Sequence, residues 1–76
     1  MKLSERVIAH AKEINTNGEL RLGQSYIVAL YDINPYLYYK VTIDNSDVDC
    51  FYLDGNIEKF LEFIDKMGGL NDLRWL

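Results

Sequence analysis

Few side chains in this sequence are of a type that could carry chemistry by themselves. Cys50 is the single cysteine and His10 the single histidine. A thiol–imidazole pair can act as nucleophile and base, but the thiol then needs a nearby cation or helix N-terminus and the base needs an orienting partner. Cys50 instead follows Asp49, and no orienting group for His10 can be identified. Cys50 is therefore expected to be a small buried hydrophobe, and His10 to pack at the edge of a helical stripe. A lone cysteine excludes an internal disulfide, and one Cys with one His cannot build a structural zinc site. The run Asp44-Asn45-Ser46-Asp47-Val48-Asp49 offers oxygen ligands, yet it misses calcium-loop spacing. Counted from Asp44, Val48 stands at the fifth position, Asp49 at the sixth in place of glycine, and Gly55 at the twelfth in place of glutamate. It reads as a solvated turn whose side chains satisfy their own backbone. Phosphate loops, paired catalytic carboxylates and hydrolase elbows have no counterpart here. No catalytic residue, cofactor or metal is expected.

Composition narrows the class further. The chain has 76 residues with 8 Lys+Arg against 12 Asp+Glu, a formal net charge of −4, and 49% of it is apolar. That length allows one domain over residues 1–76, and a chain so short buries only about 60% of its unfolded surface. The apolar content is too high for a disordered chain. No run approaches the ~20 apolar residues of a membrane span, and no basic stretch precedes a long apolar one, so neither membrane association nor a secretory leader is expected. The acidity is uneven: residues 1–40 hold 5 Lys+Arg and 4 Asp+Glu, whereas residues 41–76 hold 3 and 8. An acidic balance argues against direct nucleic-acid binding.

These side chains must be positioned by a small number of elements. Ser4 is placed to cap a first helix, in which Leu3, Val7, Ala11 and Ile14 form an apolar stripe ended by Asn17-Gly18. Residues 25–43 are ambiguous. Ser25 to Ile33 and Tyr38 to Ile43 are rich in β-branched and aromatic residues and could form a hairpin about Asn34-Pro35. Against that, Asn-Pro is a helix-start pair, and Leu22, Tyr26, Leu30 and Ile33 repeat at helical spacing. A helix apolar nearly all round would be the central, buried one. In the last element Ile57, Phe60, Leu61, Ile64 and Met67 mark one face, with Asp54 as its expected cap and Gly68-Gly69 as its expected end. Leu70, Leu73, Trp75 and Leu76 suggest a further C-terminal turn.

The segment from Arg21 to Phe63 carries Arg21-Leu22-Gly23-Gln24, Ala29-Leu30-Tyr31, Asn34-Pro35, Asp49-Cys50-Phe51-Tyr52 and Phe60-Leu61. In these anchors and their order it resembles a family of small bacterial and phage proteins. The resemblance implies a helical middle, a cytoplasmic setting in a bacterial or phage-infected host cell, and little chemistry. The expected fold is all-α: a compact small bundle of three main helices plus a short helix after Asn34 and a C-terminal turn. The alternative is α-β-β-α with a Tyr-rich hairpin.

Departures from that pattern are the more informative residues. Tyr36 and Tyr39 stand where the family has polar residues, and Leu53-Asp54 where it has an acidic pair. In a helix Tyr36, Tyr39 and Ile43 share one face, while Leu37, Tyr38 and Val41 face the core, so the first set is not required for folding. Arg21 is expected to pair with an acid of the 47–54 loop, Gly23 to allow close packing, and Phe51 to plug the core. The functional expectation is a non-enzymatic phage or prophage accessory protein. It would bind and modulate or inhibit a host or defence protein through Tyr36, Tyr39, Ile43, Asp44, Asp47 and Asp49. A homodimer or homo-oligomeric accessory protein using the same surface is the alternative, with a small Cys-dependent enzyme behind it.

Overall fold

The computed structural model describes residues 2–71, with side chains through 68. Among them are four α-helices and no strand: α1 (Leu3–Ile14), α2 (Leu22–Ile33), α3 (Pro35–Tyr39) and α4 (Ile57–Asn71). The all-α expectation holds and the hairpin alternative does not, because both ambiguous runs are helical. Apolar runs such as these suit a buried helix as well as a strand, and the Asn34 cap decides between them. Its side chain accepts a hydrogen bond from the Leu37 N–H at 3.2 Å, with Pro35 in the first helical position. Beyond Tyr39 the helix widens into a π turn, Lys40–Asp44. A 3₁₀ turn at Ser46–Val48 and another at Asp54–Asn56 lead into α4.

The helices close a ring around one core. α1 packs on α2 and α4, and α3 packs on α2 and α4. Val7 and Ala11 of α1 meet Tyr26, Ile27, Ala29 and Leu30 of α2, Leu37 of α3, Val41 of the π turn, Cys50, and Phe60 and Ile64 of α4. The predicted stripe of α1 is therefore its buried face at Val7 and Ala11, with Leu3 packed against the core, whereas Ile14 at the helix end is exposed. In α2, six residues are buried, in keeping with its apolarity. Between α1 and α2 the chain turns through Gly18 at φ +69°, and the Asn15 amide both donates to and accepts from Leu20 at 2.9 Å.

Four local expectations are corrected. Ser4 lies inside α1 and Lys2 occupies the cap position; the Ser4 N–H and hydroxyl both donate to the Asp65 carboxylate of α4, at 2.8 and 2.7 Å. Asp54 does not cap α4 but accepts the Gly23 N–H of α2 at 3.0 Å. Each of these helices thus has a first-turn amide satisfied by a carboxylate distant in sequence, a partnership that local patterns cannot reveal. Gly68 does not end α4, which continues to Asn71; a Cβ at Gly68 would come within 3.1 Å of the Leu3 side chain. Phe51 is only half-buried, and among the described residues Phe60 is the aromatic side chain fully enclosed in the core, with Tyr26 buried in the same cluster. The expected C-terminal turn involves residues 72–76, which lie outside the described residues.

Candidate functional site

The stretches 21–24 and 49–54 meet in space as a structural clamp. The Arg21 guanidinium donates to the Phe51 carbonyl and lies 3.4 Å from the Asp54 carboxylate. The expected pairing of Arg21 with the 47–54 loop is thus made. The Cys50 thiol donates to the Gly23 carbonyl at 3.3 Å. A Cβ on Gly23 would collide with the Cys50 carbonyl oxygen and stand 2.8 Å from Asp54, so only glycine permits this approach. Loop 50–54 is thereby fastened to the first turn of α2 from four directions. These anchors are accounted for by folding.

The thiol–imidazole pair is not assembled. Cys50 is fully buried, and its pKa is pushed up to about 12, first by burial and then by the Asp49 carboxylate. A neutral, enclosed thiol is a poor nucleophile. The Tyr26 phenol beside it is also raised, by burial first and Cys50 second. His10 does more than the packing expected of it: its Nε2 lies 2.9 Å from Asp32 of α2, and its Nδ1 is 3.9 Å from Glu13. This pairing ties α1 to α2.

An open cleft of about 410 Å³ lies between the end of α1 and the start of α2, lined in part by Asn15, Thr16, Ser25 and Tyr26. Three of its polar side chains are already engaged. Asn15 binds Leu20, the Thr16 hydroxyl donates to the Glu13 carbonyl at 2.7 Å, and the Ser25 hydroxyl donates to the Leu22 carbonyl at 2.6 Å. These three side chains are thus committed to the protein's own backbone and not to a ligand.

The arrangement is different around α3 and the π turn. Leu37 and Val41 are fully buried and Tyr38 half-buried, as the helical reading requires. On the outside, Tyr36 is 48% exposed, Tyr39 51% and Ile43 70%. The fold adds residues to this face that the periodicity did not indicate. Tyr31 of α2, itself 47% exposed, meets Tyr38 edge-on at 4.9 Å between ring centroids, and Tyr38 meets Tyr39 at 5.2 Å. Tyr31 and Tyr38 flank the Asn34-Pro35 break, so only the angle between α2 and α3 could bring them together. Edge-to-face contacts of this kind stiffen a surface that folding alone would leave loose.

The acidic residues divide. Asp44 pairs with Lys40 at 3.3 Å, and the Lys40 ammonium lies 5.6 Å from the Tyr36 ring centroid. The Asp44 hydrogen bond, followed by Tyr36, raises the Lys40 pKa above its ordinary value. Asp47 is exposed in the 3₁₀ turn. Asp49 is half-buried and accepts the Phe51 N–H at 2.8 Å, so it serves the loop and adds nothing to the aromatic face. The expected Asx-type self-satisfaction of the loop is realised at Asp49 and at Asn45, whose amide donates to the Lys40 carbonyl at 3.0 Å.

No protein-family model, curated protein or solved structure matches the chain. No helix among the described residues is long and apolar enough to cross a membrane.

Proposed function

We propose that this chain is a non-enzymatic binding protein that engages another protein through the face formed by Tyr31, Tyr36, Tyr39 and Ile43. The supporting observation is that four large side chains are about half exposed or more, around a core that is complete without them. Tyrosine suits such a role, because it buries much area at low entropy cost and keeps a polar handle. The π turn adds weight, since such turns recur at functional positions. The buried, protonated Cys50 and the engaged His10 speak for binding over catalysis. The resemblance of residues 21–63 to small bacterial and phage proteins supports a phage or prophage accessory protein, acting in the cytoplasm on a host or defence protein.

The test is affinity capture from host lysate with the wild-type chain and with Tyr36→Glu/Tyr39→Glu, both confirmed helical by circular dichroism. A partner retained by the wild type and lost by the variant is the expected result. Equal recovery by both would place the binding surface elsewhere.

A further inference from the structure

The chemistry of the partner can be inferred from how charge is distributed about this face, granted the reading that the face binds a protein. The segment from Asp32 to Asp54 holds five aspartates and one lysine, a net −4 that equals the charge of the whole chain. The remaining residues carry seven charges of each sign. Within the 32–54 segment Asp32 pairs with His10, Asp49 serves the loop and Asp54 pairs with Arg21. That leaves Asp44 and Asp47 as the exposed carboxylates of the turns that continue the aromatic face. The single lysine there shows what the face can hold: its ammonium sits against the Tyr36 ring at 5.6 Å while paired with Asp44 at 3.3 Å. A ring face beside a carboxylate attracts a cation by its quadrupole and its charge together.

We propose that this face receives a cationic segment of the partner protein, with an arginine guanidinium against the Tyr36 and Tyr39 rings and Asp44 and Asp47 balancing its charge. Arginine fits better than lysine, since its planar group stacks on aromatic rings and forks onto carboxylates. Lys40 is then an internal competitor that occupies part of the site until the partner's cation displaces it. A second copy of this chain is a poor occupant, because a two-fold interface would set one acidic segment against another.

The probe is a synthetic arginine–glycine peptide titrated into the isotope-labelled full chain at low and at high salt, followed by amide chemical shifts. Shift changes confined to residues 31–48 and weakened by salt are expected. Asp47→Asn and Tyr39→Ala should each weaken binding about two- to fivefold. Both residues are exposed, so their replacement should leave the helical spectrum unchanged. Lys40→Ala should tighten binding, whereas Lys66→Ala, the same charge change on the half of α4 that meets α1, should tighten it less. Equal tightening by the two lysine variants, shifts spread over the acidic positions of α1 and α4, equal binding of a glutamate–glycine peptide, or no shift at all would overturn the proposal. A failed titration with tyrosine-dependent capture intact would remove only the cationic partner. Capture insensitive to the tyrosines would remove the binding face itself.

Discussion

Cys50 illustrates how one residue can look chemical in sequence and prove structural. Its thiol binds the Gly23 carbonyl, and burial raises its pKa to about 12. Between the ordinary thiol value near 9 and that raised value, the unfolded chain has lost this proton and the folded chain retains it. Unfolding therefore releases a proton in that window, and stability falls as pH rises, by up to about 1.4 kcal/mol per pH unit. Denaturant melts from pH 9 to 12 should show this slope reduced in Cys50→Ala relative to wild type. At neutral pH a thiol reagent should label the native chain only as fast as the chain opens, and rapid stoichiometric labelling would contradict the burial. Gly23 makes the complementary prediction. Gly23→Ala forces a Cβ onto the Cys50 carbonyl, and overpacking of this kind costs about 1–3 kcal/mol, read as a lowered melting midpoint.

At the scale of elements, the helices are held by contacts that cross the chain. Asp65 of α4 satisfies the first turn of α1, so Asp65→Ala should cost about 1–2 kcal/mol of stability in a denaturant melt. Within the core, Phe60→Ala should cost about 3–5 kcal/mol, and Phe51→Ala clearly less, because Phe51 is half-buried. Equal losses for the two would mean that Phe51 carries the packing assigned to Phe60. The elements themselves were largely legible. The stripe of α1, the all-round apolarity of α2, the Asn34-Pro35 start of α3 and the face of α4 each follow a local period or cap. What stayed hidden were the partners of Ser4, Asp54 and His10, each more than 20 residues away in sequence. For the site, Tyr36, Tyr39 and Ile43 were visible as a helical face without a core duty. Tyr31 was not, since nothing local specifies the angle at Asn34. The π turn was equally illegible, because its wider ring interrupts a pattern that reads as continuous helix.

Taken whole, the molecule separates what holds it together from what it presents. Arg21, Gly23, Cys50 and Asp54 close the clamp between α2 and loop 50–54, while Tyr36 and Tyr39, which the core does not need, form the exposed face. The acidic segment beside that face opposes self-association, so sedimentation velocity should find a monomer across a wide concentration range at low salt. A tight dimer dissociated by Tyr39→Glu would instead show that the face meets its own copy. A second exposed apolar group, Leu22, Tyr52 and Leu53, lies around the clamp and provides an internal comparison. The most direct measurement is hydrogen exchange on the full chain, free and bound to a partner captured from lysate. Slowed exchange should concentrate between Tyr36 and Asp47, with residues 51–54 unchanged; protection at 51–54 or along α1 and α4, with 36–47 unaffected, would contradict a binding face on α3 and the π turn.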